Sequence, residues 1–290
     1  MELIYDYHSD LALRRQFFDF VPQVFGTLNF EFWDKIGGWT PAYKPCSFTD
    51  GDRLLANVSF SHLEILIDGQ ALRGIQFATV GTLPECRGQG LSRKLMEHVL
   101  DLHADTTDLF FLYANETVLD FYPKFGFRRV HECYFRAAVP SLLLVPTARQ
   151  LDIRQAADLA LLKGLCYDRL PVTRRFGCTD YGPIMLWRLL SDYAAHLWYL
   201  DEQEVLFIAQ EADGQLDVYD ILSRKPFNFH GLLPFLLRDG ATHTIRAHFS
   251  PDLLGLSFAP GEAYTYSPLF VRGDFPLESG TFKFPVMAET

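Results

Sequence analysis

The sequence predicts an α+β protein built from two similar units in tandem, each a mixed, mostly antiparallel sheet flanked by helices. Runs of alternating apolar residues around an Asp-Gly turn indicate antiparallel strands. An amphipathic helix and a strongly apolar strand follow them. The same order recurs later, because Asp213-Gly214-Gln215 lies 145 residues after Asp68-Gly69-Gln70. Asp-Gly turns are common, so a chance match is the alternative to a true structural repeat.

Composition limits the classes of protein that this chain represents. The 290 residues are 49% hydrophobic and 21% charged, a balance typical of folded proteins that excludes disorder. The length suits two domains of ordinary size. The 26 basic and 36 acidic residues give a net charge of −10, which disfavours binding to nucleic acid or to an anionic membrane surface.

The cysteines and the amino terminus bear on cellular location and on metal binding. The five cysteines lack CxxC or Cys/His ligand spacing, so they indicate neither a disulfide framework nor a zinc site. The amino terminus has no basic segment before an apolar one, and no apolar stretch approaches about 18 residues. We therefore expect a cytoplasmic protein without secretion signal, membrane span or metal. Its oligomeric state stays open, with a homo-oligomer as one option.

The first unit, residues 1–140, begins with a strand over 3–7 and a helix for which Ser9 is a suitable N-cap. The aromatic-rich residues 25–50 contain glycine and proline, so we expect short helical or looped pieces there. The remaining predicted elements are strands 54–60, 63–67 and 75–83, a helix over 91–103, a strand over 109–113, a helix over 115–122 and a strand over 127–137.

A proline-containing segment, residues 138–148, is predicted to link the first unit to a second one, residues 149–290. The predicted elements of the second unit are strands 205–209 and 216–222, a helix over 230–237, a strand over 244–249, a short helix over 251–256 and a strand over 264–271.

The segment from Gly81 to Arg93 joins a strand to a helix and has the composition of an anion site. Gly88 and Gly90 let a ligand approach the backbone closely, and the free amides of the first helical turn favour a pyrophosphate beside Arg87. The segment lacks a Gly-Lys-Ser/Thr ending and a third fingerprint glycine, which excludes a Walker loop and a dinucleotide fingerprint. Taken alone, the motif is equally a glycine-rich turn with a solvated arginine.

A second motif, Phe121-Tyr122-Pro123-Lys124-Phe125-Gly126-Phe127, follows the apolar strand and Asn115. With the glycine-bearing loop before it, this order over roughly residues 1–140 resembles the GNAT superfamily of acyl-CoA-dependent N-acetyltransferases. The family signature Gln/Arg-x-x-Gly-x-Gly/Ala is met as Glu85-x-x-Gly88-x-Gly90. Its first position departs from the pattern, so the resemblance gives Glu85 no binding role.

The resemblance implies that acetyl-CoA, as co-substrate, lies in a cleft where two neighbouring strands diverge. Strand backbone would pair with the pantetheine arm, and the loop and helix start would hold the pyrophosphate. The cofactor-binding residues implied in this way are Val80, Gly81, Thr82, Arg87, Gly88, Gln89, Gly90, Leu91, Ser92 and Asn115. Asn115 is equally explained as the N-cap of the helix that follows it.

The same resemblance makes Tyr122 the general acid that protonates the departing CoA thiolate after direct attack by an amine. Without the second motif, Tyr122 is a core aromatic beside Phe121 and Phe125. An alkylammonium with a pKa near 10.4 must first lose a proton, which costs roughly 4.6 kcal/mol at pH 7. Glu64 and Asp68 are more simply surface carboxylates, so no general base is assigned.

The second unit lacks the features of a cofactor loop. Residues 223–228 contain no glycine, and Pro226 removes a backbone donor. A tandem of one intact and one degenerate GNAT-like unit resembles the enhanced-intracellular-survival type of aminoglycoside acetyltransferase. Those enzymes carry a further carboxy-terminal lipid-carrier-like module for which we find no counterpart, so no role is transferred to Thr290.

The predicted function is transfer of an acetyl group from acetyl-CoA to a primary amine. The alternative is a non-catalytic acyl-CoA-binding or protein-interaction module. Each half holds 18 acidic and 13 basic residues, which favours a cationic small-molecule or peptide amine as acceptor. Five aromatic residues would line such a cleft or, alternatively, form core: Phe30, Phe32, Trp33, Trp39 and Tyr43.

Overall fold

The computed structural model describes residues 1–26, 28 and 30–290. Its strands form one continuous sheet in the order β1-β2-β3-β4-β5-β13-β6-β12-β11-β10-β9-β7, with β8 paired to β3. The strands are β1 (Glu2–Tyr5), β2 (Tyr43–Thr49), β3 (Leu54–Ile67), β4 (Gln70–Thr82), β5 (Leu109–Tyr113), β6 (Arg128–Ala138), β7 (Arg149–Gln150), β8 (Phe176–Cys178), β9 (Leu197–Leu200), β10 (Val205–Ala212), β11 (Gln215–Leu222), β12 (Thr244–Ala247) and β13 (Ala259–Gly273).

Six α-helices cover the sheet in the described part of the chain. They are α1 (Leu11–Phe25), α2 (Phe30–Lys35), α3 (Leu91–Leu102), α4 (Ala156–Tyr167), α5 (Gly182–Arg188) and α6 (Phe229–Leu236). A π-helical turn, Leu189–Tyr193, continues α5. None of these helices is long and apolar enough to cross a membrane.

The predicted fold class is confirmed, and both units repeat one order of elements. In the first, β3 and β4 are antiparallel around Asp68-Gly69, and β5 returns parallel to β4 after α3. In the second, β10 and β11 are antiparallel around Asp213-Gly214, and β12 returns parallel to β11 after α6. All four turn residues have positive φ, between 48° and 81°, the conformation of hairpin turns that match strand twist.

Several predicted elements differ from the structure. The segment 43–49, predicted as loop or short helix, is the strand β2, in which Pro45 is tolerated. The two strands predicted within 54–67 are one strand, β3. The helix predicted over 115–122 is wrong: two 3₁₀ turns, Glu116–Val118 and Tyr122–Phe125, occupy this region. Residues 251–256 contain no helix in the structure, and Asp10 rather than Ser9 caps α1.

The last strands of the two units exchange places. Strand β13 lies between β5 and β6, pairing Leu269 with Tyr113 on one side and with Val130 on the other. Strand β6 also pairs with β12 of the second unit. The division into residues 1–140 and 149–290 therefore stays a prediction, and strands from either side of it interleave in the sheet.

Successive side chains of β5 point to opposite faces of the sheet, and each face has its own hydrophobic core. Phe110 and Leu112 pack with the helices of the first unit. Phe111 and Tyr113 face the other way and pack with α4, α5 and the carboxy-terminal segment. Any cleft that passes between β4 and β5 consequently connects a face built by the first unit with a face built largely by the second.

Candidate active site

The functional site is built around the divergence of β4 and β5. These parallel strands pair from Gly74 and Leu109 as far as Phe77 and Leu112. Beyond that point β4 continues to Thr82 beside β3 only, because β5 turns away. The predicted divergence of two neighbouring strands is thus present, and it opens a cavity of about 760 Å³.

The cavity walls come from both units. Its described lining residues are Val24, Phe25, Leu28, Phe30, Trp33, Tyr43, Phe77, Ala78, Thr79, Val80, Gly81, Thr82, Arg87, Ser92, Leu112, Tyr113, Asn115, Thr117, Val118, Phe121, Tyr122, Ile184, Trp187, Arg188 and Thr290. Of the sequence-predicted site residues, seven lie on this one cavity: Val80, Gly81, Thr82, Arg87, Ser92, Asn115 and Tyr122.

A bulge in β4 shapes the wall that the cofactor backbone would contact. The register with β3 shifts between Asn57 and Ser59, and Thr79 takes a φ of 49°. The buried Asn57 amide donates to the Thr79 carbonyl at 2.7 Å and fixes this conformation. At Gly81, a Cβ would lie 2.6 Å from the Val24 side chain, so glycine allows α1 to pack closely there.

The loop before α3 leaves its backbone amides accessible. Gly88 and Gly90 have φ of 78° and 75°, and Gly90 caps α3 without any side-chain hydrogen bond to the first turn. Both glycines and Gln89 are exposed, and none of the three is among the residues that line the cavity. Leu91 points its side chain into the core, where it is 4% exposed. Only its backbone is therefore available to a ligand.

Three polar side chains stand between this loop and the cavity. The Ser92 and Thr82 hydroxyls are 2.6 Å apart, and Arg87 donates through Nε to the Thr82 carbonyl at 3.4 Å. Glu85 faces elsewhere, since Arg53 donates to its carboxylate at 2.6 Å and more than half of its side chain is exposed. The residue that departs from the family signature, Glu85, therefore does not line the cavity.

Tyr122 is both a packed aromatic and a cavity residue. It is 6% exposed, and its ring lies 5.8 Å from Phe270 and 5.3 Å from Phe121. Burial, with no contribution from a hydrogen bond to another described residue, raises the pKa of this phenol to about 12. Tyr122 consequently keeps its proton at neutral pH and has it free to donate.

Asn115 combines the two interpretations that the sequence left open. Its side-chain oxygen accepts hydrogen bonds from the backbone amide of Thr117 at 2.9 Å and from the Thr117 hydroxyl at 2.8 Å. It therefore caps the following 3₁₀ turn. It also lies on the cavity lining, so its amide nitrogen is available for a ligand.

The predicted aromatic cluster is core and cavity wall at once. Phe30, Trp33 and Tyr43 are at most 7% exposed, and all three line the cavity. Trp39 is buried behind them, off the lining. Phe32 is 50% exposed, so the prediction that it lines the cleft is wrong. Its side chain falls on the outer face of α2.

The second unit supplies a wall that sequence reasoning missed. Ile184, Trp187 and Arg188, all from α5, line the cavity, and the Trp187 ring stacks on Phe30 with centroids 4.8 Å apart. No motif marks α5, because its sequence is uniformly apolar up to Arg188. Only the tertiary contact with Phe30 identifies it as part of the site.

Residue 290 is another lining residue without a sequence signal. The Thr290 hydroxyl donates to the Phe77 carbonyl at 3.0 Å, and Gln76 donates to the Ala288 carbonyl at 3.0 Å. The carboxy-terminal segment thus lies against β4 where its pairing with β5 ends. The sequence assigns no role to Thr290, and the structure places it on the cavity.

Buried charges hold this segment in place. Lys283 contacts the carboxylates of Glu289 at 2.5 Å and Glu132 at 3.3 Å, and Tyr113 donates to Glu132 at 3.3 Å. Burial raises the pKa of Glu132, and the Lys283 charge opposes that rise. Since all three charged side chains are at most 4% exposed, breaking this network would leave a buried charge without compensation.

Side-chain charge in the cavity differs from the overall composition. Among the described lining residues, the charged side chains are Arg87 and Arg188. The carboxylates considered on sequence grounds lie elsewhere: Thr179 donates to Glu64 at 3.0 Å, and Arg175 pairs with Asp68 at 2.6 Å. The negative potential expected from the net charge is therefore not built from side chains on the cavity walls.

The corresponding loop of the second unit leads into a helix start that a side chain caps. Asn228 caps α6 and accepts a hydrogen bond from the amide of Gly231 at 3.3 Å. The Ser223 hydroxyl is bonded to the backbone of Lys225. The helix start that is free in the first unit is thus occupied by a side chain here. The described residues contain no group of three His, Cys, Asp or Glu side chains placed to hold a metal ion.

The class of protein follows from the fold and from comparison with known families. Residues 13–130 match the model of the acetyltransferase (GNAT) domain. These residues of the first unit therefore form a GNAT acetyltransferase domain. GNAT acetyltransferases use acetyl-CoA and act on amine acceptors. No curated protein matches this sequence significantly.

Solved structures share the fold over nearly the whole chain. Eis1 from Mycobacterium abscessus is 16% identical with a TM-score of 0.57, covering 94% of this chain and 73% of that one. A probable N-acyltransferase from Enterococcus faecalis V583 is 14% identical with a TM-score of 0.56, covering 94% and 72%. A GCN5-related N-acetyltransferase from Kribbella flavida is 18% identical with a TM-score of 0.51, covering 93% and 72%. These likenesses extend the shared fold across both units.

Proposed function

We propose that this protein transfers an acetyl group from acetyl-CoA to a primary amine in the cavity between β4 and β5. One observation carries the proposal. The diverging strands and the protonated phenol of Tyr122 meet on a single cavity, and the uncapped start of α3 reaches this cavity at Ser92. A module that only bound acyl-CoA would have no need of a free phenol beside the thioester, so the arrangement favours a catalyst.

The cofactor is proposed to follow the first unit's side of the cavity. The backbone of Val80, Gly81 and Thr82 pairs with the pantetheine arm as an added strand would. The pyrophosphate lies on the amides of residues 88–92, where the helix dipole and the Arg87 charge favour an anion. The glycine φ values and the absence of a side-chain cap on α3 support this placement.

The proposed reaction is direct attack. The neutral amine nitrogen bonds to the thioester carbonyl carbon, the tetrahedral oxyanion is held by backbone amides near residues 80–82, and the carbon–sulfur bond then breaks. Tyr122 donates its proton to the departing thiolate, a role worth about 10²–10⁴ in rate. The amine's own proton leaves to water or to a base that we do not assign.

The second unit is proposed to shape the acceptor end of the cavity rather than to bind a cofactor of its own. The stacking of Trp187 on Phe30 and the capped start of α6 support this division of roles. The acceptor is a small-molecule or peptide amine. Its cationic character, expected from composition, gains no support from walls whose charged side chains are arginines.

A cytoplasmic location is part of the proposal. All five cysteines are free, and three of them, Cys46, Cys166 and Cys178, are buried. Burial raises the pKa of Cys46 and Cys166 to about 12, so these thiols stay protonated and unreactive. Such thiols suit a reducing compartment.

Two measurements in sequence test the function. A thermal-shift titration with acetyl-CoA checks binding, and release of the CoA thiol is then measured over a panel of amines. We expect saturable stabilisation by acetyl-CoA and thiol release that depends on at least one amine, with the acetylated amine identified by mass. Stabilisation without amine-dependent release from any member would instead identify a non-catalytic acyl-CoA-binding module.

A further inference from the structure

Among the described residues that line the acceptor end of the cavity, Arg188 carries the one charged side chain. It is the last residue of α5, and Ile184 and Trp187 of the same helix line the cavity beside it. Arg87, the other arginine on the lining, is bonded to Thr82 at the cofactor end. The two guanidinium groups therefore stand on different walls and serve different parts of the cavity.

The Arg188 guanidinium has few partners of its own. Its Nη1 lies 3.5 Å from Asp192, a carboxylate that is 56% exposed, while the arginine side chain is only 19% exposed. The Tyr193 ring lies 5.7 Å away. Its Nε is buried and finds no hydrogen-bond acceptor among the described residues. A guanidinium has five donors, and leaving them unfilled in a buried position is costly.

The surroundings of Arg188 disfavour a second cation. No aspartate, glutamate or histidine side chain is among the described lining residues. The wall next to Arg188 is apolar, with Trp187 stacked on Phe30, so little solvent would screen a charge there. A carboxylate, in contrast, would fill the free guanidinium donors with a charge-assisted, bidentate contact.

We propose that the acceptor amine carries a carboxylate, as an α-amino acid does, and that Arg188 binds it. This inference rests on the proposed function and specifies its substrate class. The carboxylate pairs with Arg188, the side chain of the acceptor packs on Trp187 and Ile184, and the amine points toward the thioester between β4 and β5. It replaces the cationic acceptor expected from net charge with one that carries a carboxylate beside its amine.

The test compares two probes that differ only in this group, L-phenylalanine and L-phenylalaninamide. The ratio of their kcat/KM values is measured in wild type, Arg188→Gln and Arg188→Lys, so the difference in amine basicity cancels between enzymes. We expect Arg188→Gln to lower kcat/KM for the amino acid about 10- to 100-fold, the loss typical of a charged hydrogen-bonded pair, with the amide changed by less than about threefold. Arg188→Lys should retain part of the preference.

Acetyl-CoA affinity and thermal stability of the variants show that they are folded, and Asp192→Asn is the matched control. Removing Asp192 frees the guanidinium, so kcat/KM for the amino acid should stay equal or rise. The inference would be overturned if Arg188→Gln lowered kcat/KM equally for both probes. It would also be overturned if wild type preferred the amide and the variant kept that preference.

A binding arm separates this inference from the proposed function. N-acetyl-L-phenylalanine, the product, is titrated against wild type and Arg188→Gln by thermal shift. Stabilisation of wild type alone supports the carboxylate site even if no amine is turned over, in which case the proposed function is what fails. Equal stabilisation of both proteins, or of neither, rejects the carboxylate site.

Discussion

Trp33 donates its indole N–H to the backbone carbonyl of Pro183 at 2.9 Å, joining residues 150 positions apart in the chain. Trp33 belongs to α2 of the first unit, and Pro183 opens α5 of the second. The bond is buried and lies beside the stacked pair of Phe30 and Trp187. The acceptor wall of the cavity is therefore positioned by a contact between the two units.

Trp33→Phe should loosen that wall. The substitution removes the donor and leaves the Pro183 carbonyl buried without its partner, at a cost of about 1–3 kcal/mol in unfolding free energy. We expect a lower melting temperature and a higher KM for the amine, with acetyl-CoA affinity nearly unchanged. Thermal denaturation measures the melting temperature, steady-state kinetics the amine KM, and calorimetric titration the acetyl-CoA affinity.

Trp39→Phe is the matched control for this variant. The Trp39 indole donates to the His8 carbonyl at 2.9 Å within the first unit and does not line the cavity. It should lose comparable stability without any change in amine KM. A rise in KM of equal size in both variants would show that general destabilisation, and not the wall, controls acceptor binding.

Gly90→Val should abolish tight binding of acetyl-CoA. No protein atom lies within 4 Å of a Cβ at this position, so the added side chain occupies the space through which a phosphate would approach. Acetyl-CoA at 100 times its dissociation constant should stabilise wild type by about 2.7 kcal/mol. At the same concentration the variant should show little stabilisation in a thermal-shift titration.

Gly255→Val controls for backbone strain. Gly255 has a φ of 69° and equally open surroundings in the second unit, so valine imposes a similar penalty of about 1–2 kcal/mol there without touching the cavity. Acetyl-CoA should stabilise this variant as it does wild type. Full acetyl-CoA affinity in Gly90→Val would place the pyrophosphate elsewhere.

Tyr122→Phe should lower kcat and leave acetyl-CoA affinity nearly unchanged, because the ring keeps its packing and only the acid is lost. The phenol is active while protonated, and burial places its pKa at about 12. Wild-type kcat should therefore rise with pH as the amine loses its proton, with no alkaline decline below about pH 10.

The control for Tyr122→Phe is Tyr7→Phe, which removes a buried hydroxyl bonded to Ser47 at 2.7 Å, away from the cavity. It should affect stability but not kcat. Wild-type turnover in Tyr122→Phe, measured where chemistry limits the rate, would leave Tyr122 as a core aromatic.

The two predicted domains should not fold separately. Residues 1–140 alone would leave β5 without β13 and β6 without β12, and residues 149–290 alone would lose the same pairings. Unpaired strand edges favour aggregation. We expect each fragment to be insoluble or unfolded by circular dichroism, and co-expression of both to restore a folded complex that binds acetyl-CoA.

A protease site inserted at Leu143, which is 85% exposed, provides the control for the fragment experiment. Cleavage there in the folded protein should leave both pieces associated, because the interleaved strands hold them together. Cooperative unfolding and acetyl-CoA binding by residues 1–140 alone would show that the strand exchange is dispensable.

Local patterns explain what the sequence could predict. The glycines at 88 and 90 lie in a short segment that joins a strand to a helix, and α3 and β5 each have a strong local apolar pattern. The sequence therefore predicts this loop, α3 and β5 where the structure has them. Strand β2 was missed because Pro45 and Cys46 interrupt its alternation, and it pairs on both sides with distant strands. Tertiary pairing decided its structure.

Contacts between distant residues explain what the sequence could not predict. The apolar run of β13 indicates a strand, but nothing local places it between β5 and β6. Trp187 and Arg188 likewise carry no motif, and their role follows only from the contact of α5 with α2. The acceptor wall is therefore a property of the fold, while the cofactor loop is a property of a short segment.

A crystal structure of the complex with acetyl-CoA tests the central claim most directly. We expect pantetheine density along residues 80–82, a pyrophosphate on the amides of residues 88–92, and the thioester sulfur within hydrogen-bonding reach of the Tyr122 hydroxyl. Cofactor density at the second unit, or a thioester placed on the far side of β4 from Tyr122, would contradict it.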